Sequence, residues 1–165
     1  MIRIAGFEKE SITDGTGVRY TIFVQGCKHE CVGCHNTDTH SMDGGALFSI
    51  DKIVEEIKEL EYLDGVTLSG GDPFFQPAES LKLLKKIKEE TGKNIWAYTG
   101  YVFETLLRIR NKDIWDMLNY IDVIVDGPYV EKERDIGLRF RGSRNQRIIN
   151  VRESLKIGTT ILEKL

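Results

Sequence analysis

Residues 18–36 read VRYTIFVQGCKHECVGCHN. The first part alternates and then runs apolar, as a buried strand does, and delivers the chain into a cysteine loop. Gly26, just before the first cysteine, suits a tight exit from that strand. All three cysteines of the chain, Cys27, Cys31 and Cys34, lie on this loop in a C-x3-C-x2-C spacing. Three thiolates so close together can converge on one metal or cluster, yet they leave one coordination position short. A structural zinc site normally closes at four protein ligands, and so does a simple electron-transfer iron–sulfur cluster. A three-sulfur set therefore points to chemistry at the open position.

Working outward, residues 2–6 predict a short strand and 11–17 (SITDGTG) a turn-rich link to the strand at 18–26. Beyond the loop, 39–45 (THSMDGG) is polar and glycine-rich and predicts a connection. Ser49 can cap a helix in which Ile50, Ile53, Val54, Ile57 and Leu60 fall at helical spacing. A strand at 65–69 runs into the turn GGDP at 70–73, and a helix follows from Pro77 to a stop at Gly92. Residues 94–100 predict another strand, 102–119 a weaker helix with a break at 111–113, and 121–127 a buried strand. The last strand should end the basic segment 139–151, ahead of a short helix or coil. Strands alternating with helices predict an α/β fold with a parallel sheet. In such folds ligands sit at the C-terminal ends of the strands. The cysteine loop, GGDP, YTG (98–100) and DGPY (126–129) each follow a strand, so all four should collect at one edge.

Composition narrows the classes. At 165 residues, 41% hydrophobic and 30% charged, the chain predicts a single domain, 1–165, with an ordinary core. A formal net charge of −3 argues against a nucleic-acid binder. No apolar run approaches the roughly 20 residues that span a bilayer, so no membrane partner is expected. The N-terminus MIRIAGFEKE has no apolar signal core, which predicts a cytoplasmic protein. An odd number of cysteines on one loop makes a poor disulfide framework and a good ligand set.

C-x3-C-x2-C directly after the first long strand of a βα protein resembles the radical S-adenosylmethionine (SAM) superfamily. Within it, SITDGTGVRYTIFVQGC (11–27), CHN (34–36) and SGGDP (69–73) are similar to the small activating enzymes that install glycyl radicals. WAYTGY (96–101), DGPYV (126–130) and RGSRNQR (141–147) resemble the subgroup that activates anaerobic ribonucleoside-triphosphate reductase. The likeness runs from about residue 5 to residue 150. Three positions depart from wider superfamily habits. Gly33 stands where an aromatic residue is frequent, Asp72 replaces a glutamate, and Tyr98 replaces the aspartate of lyase-activating relatives, which argues against an alkali-metal site.

The resemblance implies an incomplete, laterally open (βα) barrel with a mostly parallel sheet; a closed eight-fold barrel typically needs about 250 residues. It implies a 4Fe-4S cluster on Cys27, Cys31 and Cys34, with the fourth iron chelating the methionine end of SAM. Reductive cleavage would give a 5′-deoxyadenosyl radical that takes hydrogen from a glycine of the reductase, with a low-potential electron donor as a second partner. It further assigns main-chain contacts from Gly33, Cys34 and His35 to the adenine, and a hydrogen bond from Asn36 to SAM. Gly70 and Gly71 would hold the methionine amino group, since backbone without side chains approaches a ligand closely. Asp72 would orient that ammonium or act only in the turn. Asp126 would accept from the ribose or amine, or cap the next turn. Among Arg139, Arg141, Arg144 and Arg147, Arg141 is the candidate for the methionine carboxylate, and the others form a solvated face or a docking surface.

Other readings remain. His29 and His35 interleave with the cysteines, so a Cys3His zinc module is the alternative from another class; against it, structural zinc usually draws on two separated ligand pairs. Within the same chemistry, the target could be another glycyl-radical enzyme or a small molecule, as in 7-deazaguanine ring formation. His40 reads as a surface residue, and Trp96 and Tyr98 as core rather than stacking partners.

Overall fold

In the computed structural model, which describes residues 1–34 and 37–165, β1 (Ile2–Ser11) and β2 (Arg19–Val24) precede the cysteine loop. After it come β3 (Ala46–Phe48), α1 (Ile50–Glu59), β4 (Gly65–Gly70), α2 (Pro77–Thr91) and β5 (Asn94–Tyr98). The chain continues through α3 (Phe103–Arg108), α4 (Lys112–Leu118), β6 (Val123–Asp126), β7 (Arg147–Asn150) and α5 (Val151–Ile157). His35 and Asn36, both expected at the SAM site, lie outside the described residues.

Local signals set the helix ends. The Ser49 hydroxyl accepts from the Lys52 amide and opens α1, which buries Ile50, Ile53, Val54 and Ile57 along one side. Gly92 closes α2 at φ 66°, its amide donating to the Lys88 carbonyl. The weak helix expected at 102–119 is two helices. Asn111 interrupts it, its side-chain oxygen accepting from the amides of Asp113 and Ile114 and starting α4 afresh.

All strands join one sheet in the order β3-β1-β2-β4-β5-β6-β7. Its centre, β2-β4-β5-β6, is parallel, as the helical crossovers require. The flanks were not foreseen: β1 pairs antiparallel with β2, β3 with β1, and β7 with β6. The turn from β1 to β2 is too short for a crossover, and no α-helix separates β6 from β7, so both pairs fold back. The C-terminal tail then lies along the outer side of β7. There the Asn150 amide donates to the Ile161 carbonyl at 2.8 Å, and the Glu163 amide to the Ile148 carbonyl at 2.9 Å.

Strand alternation gives the sheet two unlike faces. Tyr20, Ile22, Val24, Val66, Leu68, Ile95, Ala97 and Ile124 pack under the helices with Ile57, Leu83, Leu84 and Ile87. Each such buried aliphatic side chain contributes about 1.5–3 kcal/mol. On the other face, Trp96, Val123, Val125 and Ile148 form a smaller cluster with Tyr98 and Phe140. Beside it Arg19 is wholly buried. Its guanidinium donates to Thr67 Oγ1, to the carbonyls of Thr16, Val66 and Asn94, and to Asn94 Oδ1, all within 3.1 Å. Burial pulls its pKa down to about 10, and the neutral acceptors compensate part of the desolvation. Among the described residues no helix is long and apolar enough to cross a membrane.

Candidate functional site

The four post-strand loops meet at the C-terminal ends of the parallel strands, around a cleft of about 180 Å³. The loop after β2 contributes Cys27, His29, Cys31 and Cys34, and the turn after β4 contributes Gly70 and Gly71. Thr99 and Gly100 come from beyond β5, and Gly127 and Tyr129 from beyond β6. A hollow of about 280 Å³ at the opposite end of the strands, lined by Asn94, Trp96, Asp122 and Glu163 among others, has no cysteine on its walls.

The three cysteines are free thiols, each partly exposed on the same cleft. Burial pushes the Cys27 thiol up to about 11, opposed by a hydrogen bond from the His29 backbone, so a metal must displace a proton to be bound there. Among the described residues no three His, Cys, Asp or Glu side chains are already drawn onto a metal position. The thiols share a wall, and the incoming metal has to gather them.

Backbone contacts fix the loop against the turn after β4. Gly71 N donates to the Val24 carbonyl at 2.8 Å, and Asp72 N to the Gly26 carbonyl at 2.9 Å. Gly70 sits at φ 91°, and a Cβ there would lie 2.7 Å from the Phe23 backbone. A Cβ on Gly71 would run into the Gly26 carbonyl and sit 2.8 Å from the Thr39 oxygen. Both glycines thus have a steric reason to be glycine, apart from any ligand. Gly33, at φ 78°, faces Glu131 and Tyr129, whose side chains leave no room for a Cβ.

Asp72 is 1% exposed. Its Oδ1 accepts from the Phe74 amide at 3.0 Å, capping the turn, as one of the two expected roles requires. Its Oδ2 receives the Thr99 hydroxyl at 2.8 Å and the Gly100 amide at 2.9 Å. The third partner of Oδ2 is His29 Nε2 at 2.7 Å. Of the two imidazoles of the Cys3His alternative, that of His29 is thereby engaged by a carboxylate, and His35 lies outside the described residues. The His29 ring packs edge-on against Tyr101, with centroids 4.6 Å apart, and tilted against Phe75 at 5.1 Å. Neither Thr99 nor this use of His29 was read from the sequence, because residues 72, 75 and 99–101 meet the histidine only through the fold.

Asp126 is not among the residues that line the cleft. It caps the start of α3 through the Phe103 amide at 2.8 Å and pairs with Arg147 Nη2 at 2.6 Å. Arg147 also holds Glu104, at 2.6 Å, which keeps the Glu104 carboxyl down at about 2. The basic cluster divides its labour: Arg139 stacks on the Phe140 ring, while Arg141 donates from Nη1 to the Gln146 carbonyl at 2.8 Å. Among the described residues, Arg141 Nε is buried without a hydrogen-bond partner. The same arginine lines a hollow of about 550 Å³, with Asp14 and Phe140, that shares Ser69, Tyr98 and Gly142 with the cysteine cleft. Trp96 and Tyr98 pack in the smaller core, as read from the sequence.

A family model described as a 4Fe-4S single cluster domain matches residues 13–149. Relatives named anaerobic ribonucleoside-triphosphate reductase-activating protein match over most of the chain, three of them as follows. That of Vibrio cholerae is 39% identical over 142 residues, covering 82% of this chain and 89% of its own. The Escherichia coli K12 protein is 37% identical over 148 residues, with coverages of 86% and 94%. The protein of Enterobacteria phage T4 is 39% identical over 140 residues, with coverages of 82% and 85%. Among solved structures, QueE from Escherichia coli gives a TM-score of 0.46 at 16% identity, over 60% of this chain and 52% of that one.

Proposed function

The chain belongs to the 4Fe-4S single cluster family, among the anaerobic ribonucleoside-triphosphate reductase-activating proteins, and we propose that it generates a glycyl radical on that reductase. The observation that carries this is the donor set: three free thiols on one cleft, with no fourth cysteine anywhere in the chain. Soft thiolates suit a 4Fe-4S cluster, and three of them leave one iron for SAM. When bound, the cluster and SAM together supply one-electron cleavage and a 5′-deoxyadenosyl radical able to take hydrogen from a glycine of the reductase.

The chain's own residues bind and orient. Cys27, Cys31 and Cys34 hold the irons. Gly33 and Cys34, with His35 beyond the described residues, would give main-chain contacts to the adenine, and Asn36, also beyond them, a hydrogen bond to SAM. Gly70 and Gly71 offer bare backbone to the methionine end. Arg141, whose buried Nε has no hydrogen-bond partner among the described residues and which lines the adjoining hollow, is our candidate for the methionine carboxylate. Asp72 and Asp126, whose carboxylates are taken up by donors of the protein itself, would frame the site.

The sheet is proposed to curl into an incomplete, laterally open barrel, whose open side admits a protein segment. A low-potential donor must supply the electron. A cytoplasmic location fits three unpaired thiols, because reducing compartments keep them free.

Anaerobically reconstituted protein with reductant and SAM should form 5′-deoxyadenosine, and with the reductase added a glycyl-radical signal should appear. Cys34→Ala should yield neither. Full product from that variant would overturn the ligand assignment; zinc without sulfide in the isolated protein would favour the zinc module.

A further inference from the structure

His29 lies between two cluster ligands in sequence, yet its side chain is directed elsewhere. Its Nε2 stands 2.7 Å from Asp72 Oδ2. Asp72 as a carboxylate has only acceptors, so Nε2 carries the proton and donates. The imidazole occupies a built seat, with Phe75 and Tyr101 flanking the ring. Gly100 leaves the space, since a Cβ there would collide with the imidazole. The oxygen that His29 reaches also receives Thr99 and Gly100, while the Asp72 backbone amide is bonded to the Gly26 carbonyl. One buried carboxylate thus ties together the cysteine loop, the turn after β4 and the exit of β5.

We propose that His29 is a positioning residue, which through Asp72 fixes the cysteine loop in register with the Gly70 and Gly71 backbone so that the cluster and the methionine end of SAM are held at a set separation. This rests on the reading that the cleft binds SAM. The histidine holds no iron, because the three cysteines supply the ligands. Its loss therefore leaves cluster assembly intact and loosens the second partner. Hydrogen bonds to a charged group contribute more than neutral ones, and losing one corresponds to a change in affinity of about tenfold or more.

Three variants test this in the reconstituted protein: His29→Leu, which removes the donor and keeps bulk; His29→Gln, whose amide nitrogen reaches about as far as Nε2; and Thr99→Val, which removes a second donor to the same oxygen. Iron and sulfide per chain should match wild type in all three. The SAM concentration that half-converts the EPR spectrum of the reduced cluster should rise about tenfold in His29→Leu and less in Thr99→Val. His29→Gln should stay near wild type, and KM for SAM should follow the same order with kcat little changed. Wild-type SAM affinity in His29→Leu would overturn the proposal, as would His29→Gln behaving like His29→Leu, or loss of iron from His29→Leu while Thr99→Val keeps its cluster. Wild-type protein that binds a cluster but shows no spectral response to SAM would instead overturn the reading of the cleft.

Discussion

Asp72 and Asp126 make an instructive pair. Each follows or ends a parallel strand, each is 1% exposed, and each caps the element that comes next in space. By sequence both are equally plausible ligand groups. The structure separates them by where their donors come from. Asp126 faces a guanidinium that also serves Glu104, and its other donors are the Arg147 amide and the Phe103 amide that opens α3; none of these three residues is among those lining the cleft. Asp72 has no lysine or arginine among its partners and collects a hydroxyl, two amides and an imidazole from three loops of the cleft. Burial alone does not mark a site residue. The span of the donors does.

The contrast is sharpest under removal of Asp126. Asp126→Ala leaves the Phe103 amide buried without its acceptor and Arg147 with only Glu104. Stability should fall by about 3 kcal/mol in denaturant unfolding of the cluster-free protein. SAM affinity of the folded, reconstituted variant should remain that of wild type; a tenfold weakening would put Asp126 back among the ligand groups.

A smaller effect, on the other carboxylate, comes from Gly100→Ala. Its methyl group takes the space of the His29 ring and leaves Asp72 itself untouched. SAM affinity should drop by up to about tenfold while the unfolding midpoint moves little. Unchanged affinity would mean that the imidazole's seat has no bearing on the cleft.

The smallest effect concerns pH. Arg147 holds the Glu104 carboxyl down from 4.5 to about 2 in the folded chain. A depressed carboxyl contributes stability that is complete above its unfolded pKa and is lost as pH falls through the folded one. Wild-type cluster-free protein should therefore lose stability between about pH 4.5 and 2, and Glu104→Gln should make that decline shallower. Because the Glu104 side chain is 40% exposed, solvent screening keeps the difference modest. Superimposable thermal midpoints across that window would show that the Arg147 network is anchored by Asp126 alone.

Features written locally were legible in the sequence. Ser49, Pro77, Gly92 and the interruption at Asn111 mark helix ends by side-chain or φ requirements that act within a few residues. The parallel core followed from alternation, and with it the meeting of four loops at one edge. Features made by distant pairing were not. The buried place of Arg19 is not written in its own strand, because Thr67 and Asn94, which take up its guanidinium, come from two other strands. The antiparallel flanks depend on loop lengths and on what each edge meets. Asp126 and Arg147 lie 21 residues apart, so their pairing is not visible in the sequence, which offers a ligand group or a turn cap at one position and one of four clustered arginines at the other.

The tail along β7 has a consequence outside catalysis. A parallel core of this kind adds strands wherever an edge still offers donors and acceptors. The carbonyl of Ile161 and the amide of Glu163 occupy that valence on the β7 side. At the other edge β3 is only three residues long. The tail thus closes the β7 border to a strand of a second copy with the same hydrogen bonds that complete the sheet, while at the other border β3 covers β1 only from Ile2 to Ile4.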